Sequence, residues 1–403
     1  MPEAPKANAV VGQSVGPTAV INASLAGVIE EVCKNPIIGD LYGAIHAVEG
    51  IVQEDFVDLK NLSISVLEGM AACPSAALGS SRDKPDKEYC ARIFDVFKKR
   101  NIRYFFYIGG NDSANTAHIV NVMAAEAGYD MRAFHIPKTI DNDLLITDHC
   151  PGYGSAAKFV ASAVMGDDLD NRALPGVKID VIMGRHAGFL AASTALGKQR
   201  EDDGPHLIYF PEKGVSMEKF VSDVEGIYKK LGRCVIAVSE GMTDEDGEAW
   251  TKKITKTSEV DDHGNIQLSG TGALADYLAA QIKSALKIKR VRADTFGYLQ
   301  RSFVGCQSQI DVDEARRCGR QAVKYSLSEQ SGSVAIKRTG NGENYDSELF
   351  CTELRNVAED SKEMPKEFIN KDGNGVTDAF IEYAMPLTGG LQKTYFLGAE
   401  LRV

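Results

Sequence analysis

Hydrophobic residues along this chain fall into short runs that alternate with longer stretches of helical period. Residues 9–12 (AVVG) read as a strand and 17–32 as the helix after it. The run 103–108 (RYFFYI) is apolar on both faces and ends in Gly109-Gly110, after which 113–127 carry a helical pattern. The rhythm continues with a strand at 131–136, a helix at 154–165, a strand at 177–183 and a helix at 186–196. Strands at 206–210 and 234–239 flank a helix at 217–231, and later helices occupy 273–286 and 312–327. A polar stretch at 243–269 reads as a surface excursion, and the pattern loses regularity after about Asn341. Strands that alternate with helices predict an α/β fold: two Rossmann-like domains with parallel-rich sheets covered by helices. In such sheets ligands gather at the carboxyl ends of the strands, and the chain's candidate motifs sit there.

Composition narrows the function. At 403 residues the chain exceeds the size at which single cores stop growing, so two domains are expected. The net charge of -11 disfavours general binding to nucleic acid or membrane surfaces, so a phosphate substrate needs a local cluster of Arg and Lys. No run approaches the 18 apolar residues of a membrane span, and the first residues, MPEAPKANAVVGQSVGP, lack the apolar centre of a signal peptide. The eight cysteines are scattered without a C-x-x-C pair or zinc spacing, which fits reduced thiols in a cytoplasmic protein.

Six turns carry the candidate chemistry. Gly109-Gly110-Asn111-Asp112-Ser113 joins a strand to a helix. Its glycines admit a ligand close to the backbone, and the helix start offers N–H groups to an anion, while an ordinary turn capped by Ser113 accounts for it equally. An acid at a phosphate-friendly turn makes sense with a divalent cation between them. Pro137-Lys138-Thr139-Ile140-Asp141-Asn142-Asp143 places two carboxylates and an ammonium at a strand end. Asp141 and Asp143 suit the roles of proton acceptor and metal ligand, and Lys138 suits charge neutralisation on a transferring group. The alternative is an Asx-rich turn with a solvated lysine. Met183-Gly184-Arg185 aims a guanidinium where a strand meets a helix, suited to phosphate or pairing with a nearby acid. Ser239-Glu240-Gly241 offers a carboxylate for a sugar hydroxyl or for solvent. Arg292 to Arg301, with Tyr298-Leu299-Gln300 between them, suits a phosphate monoester or a basic strand edge. Gly79-Ser80-Ser81-Arg82 is a small-residue turn with one arginine facing a donor phosphate or solvent. A Walker A motif and a Gly-x-Gly-x-x-Gly turn are both missing, so phosphoryl transfer is favoured over hydride transfer.

Across roughly residues 9 to 330 the chain resembles the phosphofructokinase family, on GGNDS (109–113), PKTIDND (137–143), MGR (183–185), SEG (239–241) and GYLQR (297–301). The resemblance implies a two-domain enzyme acting on fructose 6-phosphate, with its active site in the cleft between the domains. It implies a donor-binding domain of 1–152 plus about 300–350, and a sugar-phosphate domain of 153–299 plus about 351–403. Asp141 falls on the family's catalytic base. Asn111, Asp112 and Asp143 fall near a magnesium ion. Thr139, Ile140, Met183, Gly184, Arg185, Glu240, Tyr298, Leu299, Gln300 and Arg301 fall on positions that hold the sugar phosphate. Arg292 falls on an arginine that reaches the sugar phosphate of a neighbouring subunit, which implies a homodimer or larger homo-oligomer. Gly16, Arg82, Gly110, Asn111 and Ser113 fall on the donor side.

Asp112 and Lys138 bear on the donor. ATP-using members carry glycine at both positions, and pyrophosphate-using members carry Asp and Lys. Asp112 puts bulk and negative charge where an ATP α-phosphate passes, and Lys138 supplies positive charge to a pyrophosphate. The expected reaction is reversible, magnesium-dependent transfer from pyrophosphate to fructose 6-phosphate. Its rivals are an ATP-dependent kinase on the same scaffold, a kinase of a seven-carbon ketose phosphate such as sedoheptulose 7-phosphate, and a regulatory subunit without catalysis. Two departures stand out. Val15 occupies a position usually held by glycine, where a β-branched residue resists positive φ. Asn111 stands where many members have Asp.

Overall fold

In a computed structural model of the chain, residues 4–254, 272–328, 331–358 and 360–397 are described; residues 255–269 of the expected surface excursion lie outside them. Eleven strands run through the described residues: β1 (Ala7–Gln13), β2 (Ile38–Ala44), β3 (Phe56–Asp58), β4 (Ile102–Gly109), β5 (Arg132–Pro137), β6 (Val177–Ile182), β7 (Leu207–Tyr209), β8 (Cys234–Ser239), β9 (Val291–Thr295), β10 (Gly332–Arg338) and β11 (Ser347–Thr352). The chain divides into two units. One holds the described residues up to Ala156 together with Tyr298–Met364, and the other holds the described residues of 157–257, 268–297 and from 365 onward.

The first unit is built on a seven-stranded sheet in the order β11-β10-β5-β4-β1-β2-β3. The strands from β10 to β2 are parallel, and β3 and β11 close the two edges antiparallel. Alternation along the central strands explains why both faces are covered. Ala9 and Val11 of β1 and Tyr104, Phe106 and Ile108 of β4 enter one core, while Val10, Phe105 and Tyr107 enter the other. The order reverses direction between β1 and β4, and at this switch point the loops after the two strands part and leave a crevice. The late segment joins this unit through helix Gln309–Ser328, which packs on helix Ile21–Cys33. A Cβ on Gly27 would strike the Arg316 carbonyl, and one on Gly319 would strike that of Ser24, so two glycines set how closely the helices approach.

The second unit carries an all-parallel sheet in the order β7-β8-β6-β9, with a core drawn from Ile179, Val181, Ile236, Val238, Phe220 and Leu278. Its strand ends deliver Met183-Gly184-Arg185 after β6 and Glu240 after β8.

Several element boundaries differ from the pattern-based expectation. The first helix starts at Ile21 rather than 17, because the chain turns at Gly16 and Val20 is still non-helical at φ -125°. The helix expected at 154–165 runs to Ala173, continuing through the polar stretch GDDLDNR. The helix expected over 186–196 reduces to Phe189–Ser193 followed by a 3₁₀ turn, Thr194–Gly197. The tail read as irregular supplies edge strand β11 and helix Asp378–Ala384.

A buried polar network ties the loop after β5 to this framework. His149 is enclosed, with Nδ1 at 2.8 Å from Asp148 Oδ1 and Nε2 at 2.6 Å from Glu314 Oε2. Tyr345 and Ser347 donate to Glu314 Oε1 at 2.5 and 2.6 Å, and Arg338 pairs with Asp148 at 3.1 Å. Burial opposes a charge on His149, but the facing Glu314 and Asp148 carboxylates outweigh it and raise its pKa. The same contacts with His149 hold both carboxylates below their usual range against burial. Linkage sets the sign of the pH dependence. The histidine's contribution is complete below its unfolded pKa of about 6.5 and is lost as pH rises through its raised folded value. The carboxylates' contribution is present above about pH 4.3 and is lost on acidification. His149→Ala is expected to destabilise the protein by about 3–5 kcal/mol at pH 6, because the buried Glu314 carboxylate loses its cation. In denaturant titrations the gap to wild type should narrow toward alkaline pH; a gap that widens there contradicts a charged His149.

Candidate active site

Three turns meet at the switch point of the first unit. After β1 the chain passes through Ser14, Val15 and Gly16. Val15 adopts φ +63°, the left-handed region that its β-branched side chain disfavours. The turn 79–82 holds it there. Ser14 forms a parallel bridge with Ser81, the Val15 N–H donates to the Ser81 carbonyl at 2.9 Å, and the Ser80 hydroxyl donates to the Val15 carbonyl at 2.5 Å. Ser81 is itself fixed by donating to Glu49 at 2.7 Å. Arg82 comes directly after this clamp, half-buried at its mouth.

After β4, Gly110 is the N-cap of helix Asn111–Glu126 and makes no side-chain cap. Ser113 is therefore not a cap: its hydroxyl is buried, without a hydrogen-bond partner, and crowds Gly109, where a Cβ would collide with it. A Cβ on Gly110 would meet nothing closer than the Lys138 carbonyl at 4.0 Å, so free space lies before the helix start. The Asn111 side chain accepts from the Asp112 N–H at 2.9 Å, and Asp112 pairs at 3.0 Å with Lys84, a residue the motif reading did not single out. His135, buried in β5, spans to Gly109 with Nε2–H donating at 2.8 Å and to the Ser333 hydroxyl at 2.8 Å through Nδ1. Burial pushes its pKa down to about 4, so it serves as a neutral brace for the glycine turn.

After β5 comes Lys138, whose side chain is buried. Its Nζ donates to the Gly16 carbonyl at 2.9 Å, linking the β5 turn to the β1 turn. Arg301 lies against the same glycine: a Cβ on Gly16 would sit 2.9 Å from the guanidinium carbon. The Arg301 guanidinium also stacks on Tyr298, 4.6 Å from the ring centroid. Burial, then repulsion from Arg301, lowers the Lys138 pKa to about 8 against the pull of Asp141 and Asp143. Asp143 moves the opposite way, raised to about 7 by burial and by the Asp141 charge. The two carboxylates are separated by Asn142, fully buried at φ +60°, a conformation that asparagine tolerates better than most residues. Its side-chain oxygen accepts from the Cys150 N–H at 2.9 Å, and the Lys362 N–H donates to the Asp143 carbonyl at 2.7 Å. Lys362 Nζ in turn donates to the carbonyls of Thr147 and Asp148 at 2.9 and 2.7 Å. Ile140 is buried beside half-buried Thr139, whose hydroxyl accepts from the Asp141 N–H at 3.1 Å.

The second unit presents its own set. Gly184 sits at φ +133° with its carbonyl accepting from the Ser239 hydroxyl, and the Gly241 N–H donates back to that hydroxyl at 3.2 Å. Met183 and Glu240 are buried beside half-buried Arg185. Arg292 is exposed on edge strand β9. Gly16, Arg82, Gly110–Ser113, Lys138–Asp143 and Tyr298–Arg301 thus belong to the first unit, and Met183–Arg185, Glu240 and Arg292 to the second. Within the first unit Gly16, Lys138, Asp141, Asp143 and Arg301 are brought together. Arg301, expected on a sugar phosphate, packs against Gly16; Gln300 is buried, and Tyr298 and Leu299 are exposed.

A family model described as Phosphofructokinase matches residues 8–326. This chain belongs to the phosphofructokinase family. It is 53% identical over 394 residues, covering 97% of both chains, to pyrophosphate--fructose 6-phosphate 1-phosphotransferase of Rhodospirillum rubrum. It is 39% identical to the Halomonas elongata protein of the same name, over 95% of this chain and 92% of that one. Among solved structures, pyrophosphate-dependent phosphofructokinase from Marinobacter aquaeolei superposes with a TM-score of 0.84 at 34% identity, covering 97% of this chain and 93% of that one.

Lys84, His135, Asn142 and Lys362 are the residues that motif reading passed over in this phosphofructokinase. Asn142 had a signal, an Asx residue between two acids in a turn, and Lys84 stands two residues beyond Arg82 in a stretch of alternating charge. His135 and Lys362 act through long-range backbone contacts that no local spacing announces. The clamp on Val15 makes a stability prediction. Removing its branched side chain relieves about 1–2 kcal/mol of left-handed strain, offset by the extra chain entropy of glycine. Val15→Gly should leave stability unchanged or raise it by up to about 1 kcal/mol in urea unfolding; a loss beyond about 2 kcal/mol contradicts a strained Val15.

Proposed function

We propose that the chain catalyses reversible, magnesium-dependent transfer of a phosphoryl group from pyrophosphate to the 1-hydroxyl of fructose 6-phosphate, giving fructose 1,6-bisphosphate and phosphate. The observation that carries this reading is the buried Lys138 ammonium, held on the Gly16 carbonyl next to Arg301, with Asp141 and Asp143 on the same turn. Two cations at the switch point, open space before a helix start, and Asp112 on the first helical turn suit two linked phosphates. Asp112 is part-exposed and already paired with Lys84, so an α-phosphate arriving there meets a carboxylate and its side chain. The names carried by the relatives agree with this donor.

Residues of the first unit therefore act on the donor and on the reacting hydroxyl. Asp141 accepts the proton from the 1-hydroxyl as the oxygen attacks the phosphorus. Lys138 and Arg301 offset the charge that builds on the departing phosphate, and the buried setting of Lys138 strengthens its share of that effect. Arg82, Asn111 and Ser113 face the donor at the clamp and the helix start. In the second unit Met183, Gly184, Arg185 and Glu240 hold the sugar phosphate. Exposed Arg292 on β9 extends to the sugar phosphate of a neighbouring subunit in a homodimer or larger assembly.

The residues fit magnesium in the way the ion is usually held by kinases, through one or two carboxylates with substrate oxygens completing the shell. Asp143 is a carboxyl whose charge is unfavourable without a cation nearby. Asp112 and the Asn111 amide add hard oxygen atoms at the facing helix start. When bound, the metal would screen the charge on the phosphate oxygens. Eight free cysteines and the lack of any described helix long and apolar enough to cross a membrane support a cytoplasmic setting.

A coupled assay on purified enzyme tests the proposal: turnover with pyrophosphate and fructose 6-phosphate, and none with ATP, is expected, while turnover with ATP alone overturns the donor. In the same assay Asp141→Asn should lose about two to four orders of magnitude in kcat, and near-normal turnover removes Asp141 as the base. The depressed Lys138 pKa places an alkaline limb near pH 8 in kcat/KM for pyrophosphate, since the free enzyme loses that charge as pH rises. Lys138→Arg should move the limb beyond the measurable range, and an unmoved limb assigns it to another group.

A further inference from the structure

A second set of carboxylates lies on elements of the second unit that the reaction does not use. Asp180 is central in β6 and is paired in register with Asp294 of β9. Asp167 stands on helix Tyr153–Ala173. One oxygen from each of the three lies within 4.8 Å of the others. Asp180 is fully buried, and neither of its oxygens accepts a hydrogen bond. Lys178, two residues earlier on the same face of β6, is the cation nearest to them. Its Nζ stands 3.4 Å from Asp167, 3.5 Å from Asp180 and in contact with Asp294. One ammonium against three carboxylates leaves two negative charges in a setting that excludes water from Asp180. Two arginines stand on the rim of the same cavity, and neither pairs with these three carboxylates. Arg290 is engaged with Asp170 at 3.2 Å, and Arg292 donates to its neighbour's carbonyl, Val291, at 3.0 Å.

The cluster borders a cavity of about 330 Å³ that Asp167, Lys178, Arg292 and Asp294 share with Asn171. Asn171 repeats the pattern seen at Asp180. Its Nδ2 donates to the Gly176 carbonyl at 3.1 Å, and its Oδ1 is buried with no donor. Oxygen acceptors without donors are what a cation requires, and each would be costly to bury without one. We propose that Asp167, Asp180 and Asp294 form a binding site for a hard divalent cation of calcium size, separate from the metal of the phosphoryl-transfer site. Calcium accepts six to eight hard oxygen ligands in flexible geometry at about 2.3–2.6 Å, which suits three carboxylates beside an amide oxygen, whereas magnesium demands a near-ideal octahedron and holds on to its waters. The ion's two charges complete the neutralisation that Lys178 begins. Without it, burial and the Asp167 charge drive Asp180 toward its protonated form.

Calorimetric titration of the full-length enzyme with calcium chloride, in phosphate-free buffer after chelator treatment, tests the site. Wild type is expected to bind one calcium ion that Asp143→Asn retains. Asp294→Asn, at an exposed position where folding is not at risk, and Asp167→Asn should each weaken it at least about 10-fold, and Lys178→Met should tighten it. Failure of wild type to bind calcium overturns the proposal. So does wild-type affinity in both Asp294→Asn and Asp167→Asn, or loss of the ion in Asp143→Asn alone.

Discussion

A single buried contact organises this molecule: the Lys138 ammonium on the carbonyl of Gly16. It joins the ends of two strands on either side of the sheet's switch point, and it does so with a charge that burial disfavours. Arg301 against the same glycine adds a second cation in a place where two positive charges repel. Such an arrangement stores an affinity for anions. The ligand that relieves it brings several negative oxygens to a narrow space, and pyrophosphate meets that description with no adenosine to accommodate. The same logic explains the acid side. Burial and the Asp141 charge raise the proton affinity of Asp143, so that carboxyl favours a nearby cation.

Around this contact the backbone is held in conformations it would not choose. Val15 and Asn142 both sit at positive φ, one against its β-branched nature and the other with the tolerance of an Asx residue. Each is over-determined by neighbours: the turn 79–82 for Val15, and Cys150 with Lys362 for the loop of Asn142. Strain that the surroundings pin in place is common where a ligand must find its groups ready. The His149–Glu314–Asp148 network does the same one layer further out, anchoring the β5 loop to β10 and to helix Gln309–Ser328.

The chemistry-bearing turns were legible in the sequence because parallel strands are buried on both faces, and RYFFYI or CVIAVS stands out as an unbroken apolar run. The residues just after such a run sit at a strand's carboxyl end, so GGNDS, PKTIDND, MGR and SEG fell on the correct side of their sheets. Five strands escaped notice. β2 (IGDLYGA) is diluted by two glycines and an acid, β3 has three residues, β9 (VRADT) mixes apolar and charged residues, and β11 is an edge strand with mostly part-exposed side chains; β10 (GSVAIKR) is buried over most of its length, but its apolar run is only Val334 to Ile336. Contacts that close the site over long sequence separations were not legible at all. His135 to Gly109, Lys138 to Gly16 and Lys362 to the β5 loop depend on strand order, which periodicity does not contain. Val15 was legible as an oddity, but the clamp that tolerates it was not.

The most direct test of the two-phosphate pocket is a crystal structure of the enzyme with magnesium pyrophosphate, and a parallel soak with ATP. The account predicts pyrophosphate spanning the β1 turn and the start of helix Asn111–Glu126, with an oxygen about 3 Å from Lys138 Nζ and no ordered nucleotide in the parallel crystal. An adenine ordered there, its inner phosphate lying beside Asp112, would contradict it.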